Sequence, residues 1–278
     1  MRLDLLRTRS VLAMVTLGEL AACEHEVHAP REPIRVAAAS DLSRAFPALA
    51  RGFKEQTGLE VSFTFGATGL LARQLADGAP FDVFAAANAS FVDSVVEAGV
   101  CSADTRAAYG RGHLALWSPA PRGDVAAPHT LQQLLDPRYR HIAIANPEHA
   151  PYGKAAREAL QRAGLWQQLE PRILLAENVR QALQFAESGN ADVALVALSL
   201  VIEDHNASWT AVDQALHAPI EQTLVACSRG KRGEDGKKFA AYVSSKAGRA
   251  VMRRFGFLLP GEPLSAASNA AGAAVSSP

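Results

Sequence analysis

The sequence predicts an α/β protein with mainly parallel sheets. Three observations carry that expectation. Short apolar runs alternate with segments of helical periodicity from about Ile34 to Pro260. Glycine, proline and helix-capping residues bound those runs. The chain has 278 residues, 49% of them hydrophobic, enough for one large core or two medium ones.

The elements follow in order. Ile34–Ala39 is a short apolar run expected as a strand. Leu42, Ala45, Phe46, Leu49 and Phe53 then recur at helical spacing, with Gly58 where a C-cap belongs and Pro47 near the start, where a missing N–H costs little. Leu59–Phe65 alternates as a strand, Gly69–Ala76 is helical, Phe81–Ala86 is a buried strand and Ser90–Ala98 is helical. Further strands are expected at Leu114–Trp117, Ile142–Ile144 and Val193–Val196, and helices at Gly153–Ala163 and Val179–Ser188. Phe239–Arg254 closes the body as one amphipathic helix, with Phe239, Tyr242, Val243, Ala247, Ala250 and Val251 on one face.

The ends carry a different message. Arg2, Arg7 and Arg9 flank the apolar segment VLAMVTLGEL, which is too short to cross a bilayer, and small residues follow. That pattern reads as an export signal over residues 1–22, with Glu19 as an imperfection in its apolar stretch. The ending Leu20-Ala21-Ala22-Cys23 resembles the lipobox of bacterial lipoproteins, which implies cleavage before Cys23, its lipidation, and anchorage to the outer face of a membrane. Residues 23–33 are polar and proline-bearing, the composition of a tether, and residues 261–278 read as a disordered tail. With Cys23 set aside, Cys101 and Cys227 remain. In an oxidising compartment they are free to form a disulfide or to stay buried thiols, depending on the fold.

Charge and motif narrow the chemistry. Twenty-eight basic residues balance 28 acidic ones, so nothing favours a nucleic-acid partner. The basic stretch Arg229–Lys238 is interrupted by acids and reads as a solvated loop. There is no HExxH, no metal-ligand spacing and no GxSxG around Ser40, and His149 stands alone in its loop. No enzyme activity, resident metal or cofactor is expected.

Four strand-to-helix junctions do share a chemistry. They are Ala39-Ser40-Asp41, Phe65-Gly66-Ala67-Thr68-Gly69, the stretch Asn146–Gly153, and Ala176-Glu177-Asn178-Val179. Each sets small or capping residues where the first N–H groups of a helix are orphaned. Those groups and the helix dipole favour an anion, and open α/β sheets bind ligands at such turns. Any one of the four is also an ordinary cap. The glycine-bearing second turn lacks the lysine of a phosphate loop.

Taken in order, the motifs AAASDL, FKEQTG, SFTFGATGLLARQLADGAPFDVFAAANASFVD, ANPEHAPYGKAAREALQRAGLW, AENVRQALQFAESGNADVALVALSL and the terminal RFGF resemble the molybdate-binding proteins of bacterial ABC importers, the ModA family. The likeness spans about Ile34 to Leu258. It implies a two-lobed type II periplasmic binding protein, each lobe a mainly parallel sheet flanked by helices, with the ligand in the cleft. Residues 34–111 plus 219–260 would form lobe I and residues 112–218 lobe II, with crossings near Gly110–His113 and His217–Glu221. It further implies a monomer outside the cytoplasm that captures molybdate or tungstate, or another small tetrahedral oxyanion such as sulfate, and delivers it to an ABC permease. Carried over by position, the donors are the Ser40 hydroxyl and N–H, the Thr68 hydroxyl, and the N–H groups of Tyr152 and Val179. The family's tyrosine donor falls on Ala197, which has no hydroxyl to offer, and Ser199 lies two residues on. Asp41 is extra against the shortest family pattern, and an acid beside an oxyanion must point away or cap its helix. A site of neutral donors favours an anion without a proton, because a protonated oxygen wastes a buried donor.

Overall fold

A computed structural model describes residues 31–120 and 127–262. The export signal, Cys23, most of the tether and residues 263–278 of the tail lie outside the described residues.

The chain enters at β1 (Ile34–Ala39), which passes through a 3₁₀ turn at Ser40–Leu42 into α1 (Ala45–Thr57). β2 (Val61–Gly66) leads into α2 (Thr68–Ala76), and β3 (Val83–Ala86) into α3 (Ala89–Glu97). β4 (Ala107–Gly112) runs on through His113 into β5 (Leu114–Pro119), the first strand of a second sheet. There follow β6 (Ile142–Ala145), α4 (Pro151–Arg162), α5 (Trp166–Leu169), β7 (Ile173–Ala176) and α6 (Val179–Glu187). β8 (Val193–Ala197), α7 (Leu198–Val201) and β9 (Ala207–Ala211) complete the second lobe. β10 (Ile220–Ala226) returns to the first sheet, and α8 (Gly233–Val243) and α9 (Lys246–Arg254) close the body.

The first sheet has the order β2-β1-β3-β10-β4 and the second β7-β6-β8-β5-β9. In each, four strands run in one direction and the fourth in the order, β10 or β5, runs against them. The one reversed strand of each sheet has a simple cause. A strand that enters from the other lobe arrives at the cleft end and must run away from it, against its βα-connected neighbours.

The alternation of apolar runs and helical periods matches the observed order, with two corrections. The expected single helix over Phe239–Arg254 is two, because Ser245 ends one and caps the next by accepting from the Gly248 N–H at 3.1 Å. The stretch Arg229–Lys238 is only partly loop, since α8 begins at Gly233 with Glu234 and Asp235 in the first turn, where acids suit the helix dipole. Strands β4, β7, β9 and β10 were not marked by periodicity. β4 carries two glycines and an arginine, and β10 hides Gln222 and Thr223, both buried, inside its apolar run.

Lobe I packs around aromatic rings: Phe46 meets Phe63, Tyr109 and Phe239 at 5.9–6.0 Å, and Phe53 meets Phe239 at 5.3 Å. Cys101 and Cys227 are joined in a disulfide that ties the end of the β3–α3 unit to the end of β10.

Candidate functional site

Every parallel strand of both sheets points its carboxyl end at the cleft between them. β1 ends in Ala37, Ala38 and Ala39, all buried, in parallel register with Thr64, Phe65 and Gly66. Small side chains there let the Ser40 turn settle against the sheet. Ser40 is buried. Thr68 opens α2 and is 1% exposed; its Oγ1 accepts from the Ala87 N–H at 3.3 Å, which leaves the hydroxyl hydrogen free to donate.

From the other lobe, α4 starts with Pro151 and Tyr152. The first intrahelical bond of its opening turn is Lys154 N–H to Ala150 O, 3.1 Å, so the Tyr152 N–H has no helical acceptor. Gly153 permits this geometry: a Cβ there would strike the Ala145 carbonyl, so only glycine lets α4 start this close to β6. At α6, Asn178 Oδ1 accepts from the Arg180 and Gln181 N–H groups, both at 3.1 Å, and the Val179 N–H is left for another acceptor.

These residues meet. Ser40, Asp41, Thr68, Tyr152 and Val179, with Ala39, Gly66, Ala67, Ala87, Ala150 and Pro151, line one cavity of about 10 Å³. That is room for about one water, so a ligand of several heavy atoms reaches it by parting the lobes. The lobes are shut by direct bonds: Gly69 N–H donates to His149 O at 2.9 Å, and Ser199 Oγ donates to Asp41 O at 2.8 Å. No lysine, arginine or histidine lines the cavity. A larger hollow of about 430 Å³ sits over the disulfide, but its cations are already paired, Lys231 with Glu32, Lys237 with Glu234 and Arg232 with Asp235.

Ala197 and Ser199 do not line the cavity. Ala197 ends β8, and the Ser199 hydroxyl is spent on Asp41. Asp41 contributes to the wall, but its carboxylate turns away, with Oδ2 accepting from Gln222 Nε2 at 2.7 Å. Burial raises its pKa to about 7, against the opposing pull of the nearby Tyr152 hydroxyl and of the Gln222 amide. Gln222 and Tyr109, linked at 2.9 Å, were not singled out by sequence; the one signal was a glutamine inside an apolar strand run.

The two crossings carry buried histidines. His113 Nδ1 meets Gln214 Nε2 at 2.5 Å, and His217 Nδ1 meets Ala218 O at 2.8 Å. Burial, then the neighbouring His217, lowers the pKa of His113 to about 4, so it sits in the hinge as a neutral ring.

Comparisons with known proteins place the chain in a family. Residues 34–258 match the family model described as bacterial extracellular solute-binding protein. The molybdate-binding protein ModA of Rhodobacter capsulatus is 36% identical over 208 residues, covering 74% of this chain and 80% of the relative. ModA of Azotobacter vinelandii is 32% identical over 249 residues, 88% of this chain and 96% of the relative. The solved periplasmic molybdate-binding protein of Azotobacter vinelandii superposes with a TM-score of 0.76 at 30% identity, covering 82% of this chain and 99% of that one. The sulfate-binding protein SubI of Mycobacterium tuberculosis, at 16% identity and a TM-score of 0.72, shares the fold alone. On this evidence the chain belongs to the bacterial extracellular solute-binding proteins, with the two-lobed fold of the periplasmic molybdate-binding proteins.

Proposed function

We propose that this protein captures molybdate or tungstate outside the cytoplasm and delivers it to an ABC permease. The observation that carries the reading is the convergence of four strand-to-helix turns, two from each lobe, on one small cavity walled by neutral donors. Ser40 and Thr68 supply hydroxyls, and Tyr152 and Val179 supply N–H groups at helix starts. A dianion in that position gains charge-assisted hydrogen bonds and the dipoles of α4 and α6 without any ion pair.

The same geometry argues for capture rather than turnover. The cavity brings together no nucleophile with a general base, since its one carboxyl is directed at Gln222. Release to a permease then requires only that the lobes part. We further infer that the protein acts as a monomer held to the membrane through a lipid on Cys23.

Titration calorimetry with molybdate, tungstate, sulfate and phosphate tests the assignment. One tight site for molybdate and tungstate is expected. Tight binding of sulfate with none of molybdate would move the assignment to another tetrahedral oxyanion. Radiolabelled fatty acid incorporation in wild type, lost in Cys23→Ser, tests the anchor.

A further inference from the structure

We propose that Asp41 is the closure residue of this protein: a buried carboxyl on lobe I that completes, with the Tyr152 hydroxyl of lobe II, a polar chain directly beneath the ligand cavity. The inference rests on the oxyanion-binding reading for its ligand and on geometry for its mechanism.

The chain of contacts is continuous. Tyr109 donates its hydroxyl to Gln222 Oε1 at 2.9 Å, and Gln222 Nε2 donates to Asp41 Oδ2 at 2.7 Å. Asp41 and Gln222 are 0% exposed and Tyr109 is 2% exposed. Beyond this point two polar atoms are buried without a partner among the described residues, Asp41 Oδ1 and the Tyr152 hydroxyl. They lie close enough that each alters the ionisation of the other. The Tyr152 hydroxyl occupies the space against Gly112, at the end of β4 where the chain leaves lobe I, and any Cβ at Gly112 would collide with it and crowd Gln222 Nε2. A side chain of lobe II is thus lodged in a notch of lobe I. Ser199, also from lobe II, fastens the backbone of Asp41 itself.

The Tyr152 hydroxyl is placed to donate to an ionised Oδ1, but that leaves a negative charge buried beside the ligand with nothing to offset it. No cation pairs with it among the described residues. The ionisable groups that face it are the hydroxyls of Tyr109 and Tyr152, while Gln222 and Ser199 are neutral. Arg44 and Arg180 are exposed in a separate hollow of about 230 Å³. A proton taken from solvent onto Oδ1 turns that atom into a donor toward the Tyr152 oxygen, and it removes a buried negative charge from beside a dianion. Opening withdraws Tyr152 with lobe II and exposes Asp41 to water, where the proton is released. Closure and proton uptake are therefore one event. Tyr152 couples that event to the ligand, because its N–H faces the cavity while its hydroxyl faces the clasp.

The sign follows from the direction of the shift. Closure raises the affinity of Asp41 for a proton above that of an open, hydrated carboxyl, from 3.8 to about 7. Closure is then favoured at low pH and weakens as pH rises between those values, levelling above about 7.

The test is the dissociation constant for molybdate between about pH 5 and pH 8, together with small-angle scattering of the ligand-free protein over the same range. In wild type the constant should rise by up to tenfold per pH unit below about pH 7 and then level, one proton being linked to closure. Asp41→Asn, which keeps the contact with Gln222 without a titratable proton, should bind with a flat profile. Tyr152→Phe, which keeps the backbone N–H, should bind several-fold more weakly, on the order of the loss of one buried hydrogen bond. In scattering, the wild-type radius of gyration should shrink as pH falls and that of Asp41→Asn should not move. An Asp41→Asn variant that retains the wild-type pH slope overturns the proposal, as does a Tyr152→Phe variant of unchanged affinity. If wild type binds no molybdate at any pH, the ligand assignment fails. The scattering comparison then decides the closure proposal by itself, and a pH-independent wild-type radius rejects it.

Discussion

At the scale of single residues, the site depends on what each side chain leaves undone. Ser40 is a buried residue of the cavity wall, so removing its hydroxyl should cost ligand affinity and little else. A hydrogen bond to a charged group contributes about 1.5–3 kcal/mol, so Ser40→Ala is predicted to raise the molybdate dissociation constant about 10- to 100-fold. The unfolding free energy of the unliganded variant should stay within about 0.5 kcal/mol of wild type. Calorimetry and urea unfolding, run side by side, check both halves. Equal losses in stability and affinity would make Ser40 a helix-start residue and no more.

Capping residues after apolar runs are a local signal that marks the four turns, while Ser40, Thr68, Tyr152 and Val179 within them follow from the resemblance to the molybdate-binding family. Sequence reasoning reached Asp41 as an anomaly, since an acid beside an anion has no local explanation. The explanation is non-local: Gln222 lies 181 residues away along the chain and Ser199 158 residues away. No periodicity in one segment reports which distant strand it will face.

At the scale of elements, the cleft depends on helices that begin close to the ends of strands. The approach of α4 to β6 is the tightest of these, because Gly153 lies against the Ala145 carbonyl. Gly153→Ala forces backbone apart from backbone and is predicted to cost about 3 kcal/mol of stability, with weaker ligand binding as the Tyr152 N–H moves off its line. Thermal unfolding with and without molybdate measures this. A variant as stable as wild type would show that the α4 start is freer to shift than the packing indicates. β1, β3, β6 and β8 were legible from sequence because each is an almost wholly buried apolar run, and β2 by its alternation, whereas β7 is mostly not buried and carries no such signal. Nor was β4 legible. Gly110, Arg111 and Gly112 break the apolar pattern of β4, yet the two glycines are what the hinge needs: a Cβ on Gly110 would press on the Leu258 carbonyl, and one on Gly112 on Tyr152. The split between α8 and α9 was also missed, because the apolar face continues across Ser244 and Ser245 while the backbone does not.

At the scale of the whole molecule, two sheets joined by two crossings must stay intact as bodies while moving against each other. The Cys101–Cys227 disulfide serves the first requirement. It lies within lobe I, far from the hinge, and joins residues 126 apart in sequence. Replacing both cysteines by serine is predicted to lower unfolding free energy by about 2–5 kcal/mol, mainly by freeing the unfolded chain. Since both sulfurs sit away from the cavity, molybdate affinity of the folded double variant should change less than about threefold, under 1 kcal/mol. Denaturant unfolding and calorimetry read the two quantities separately, and a large affinity loss without a stability loss would contradict this division of labour.

Selectivity is also a property of the whole closed molecule, because donors from both lobes must reach one anion at once. Molybdate and tungstate hold their oxygens further from the centre than sulfate does, so a cage closed to fit the larger ions leaves sulfate short of donors on one side. Phosphate brings a proton near neutral pH and strands one acceptor-seeking N–H. The most direct measurement is the dissociation constant of the purified protein for molybdate set against sulfate at the same pH and ionic strength. The account predicts one site per chain and a preference for molybdate of at least about 100-fold, equivalent to about 2.7 kcal/mol. Sulfate bound as tightly as molybdate, or no binding of either, would contradict it.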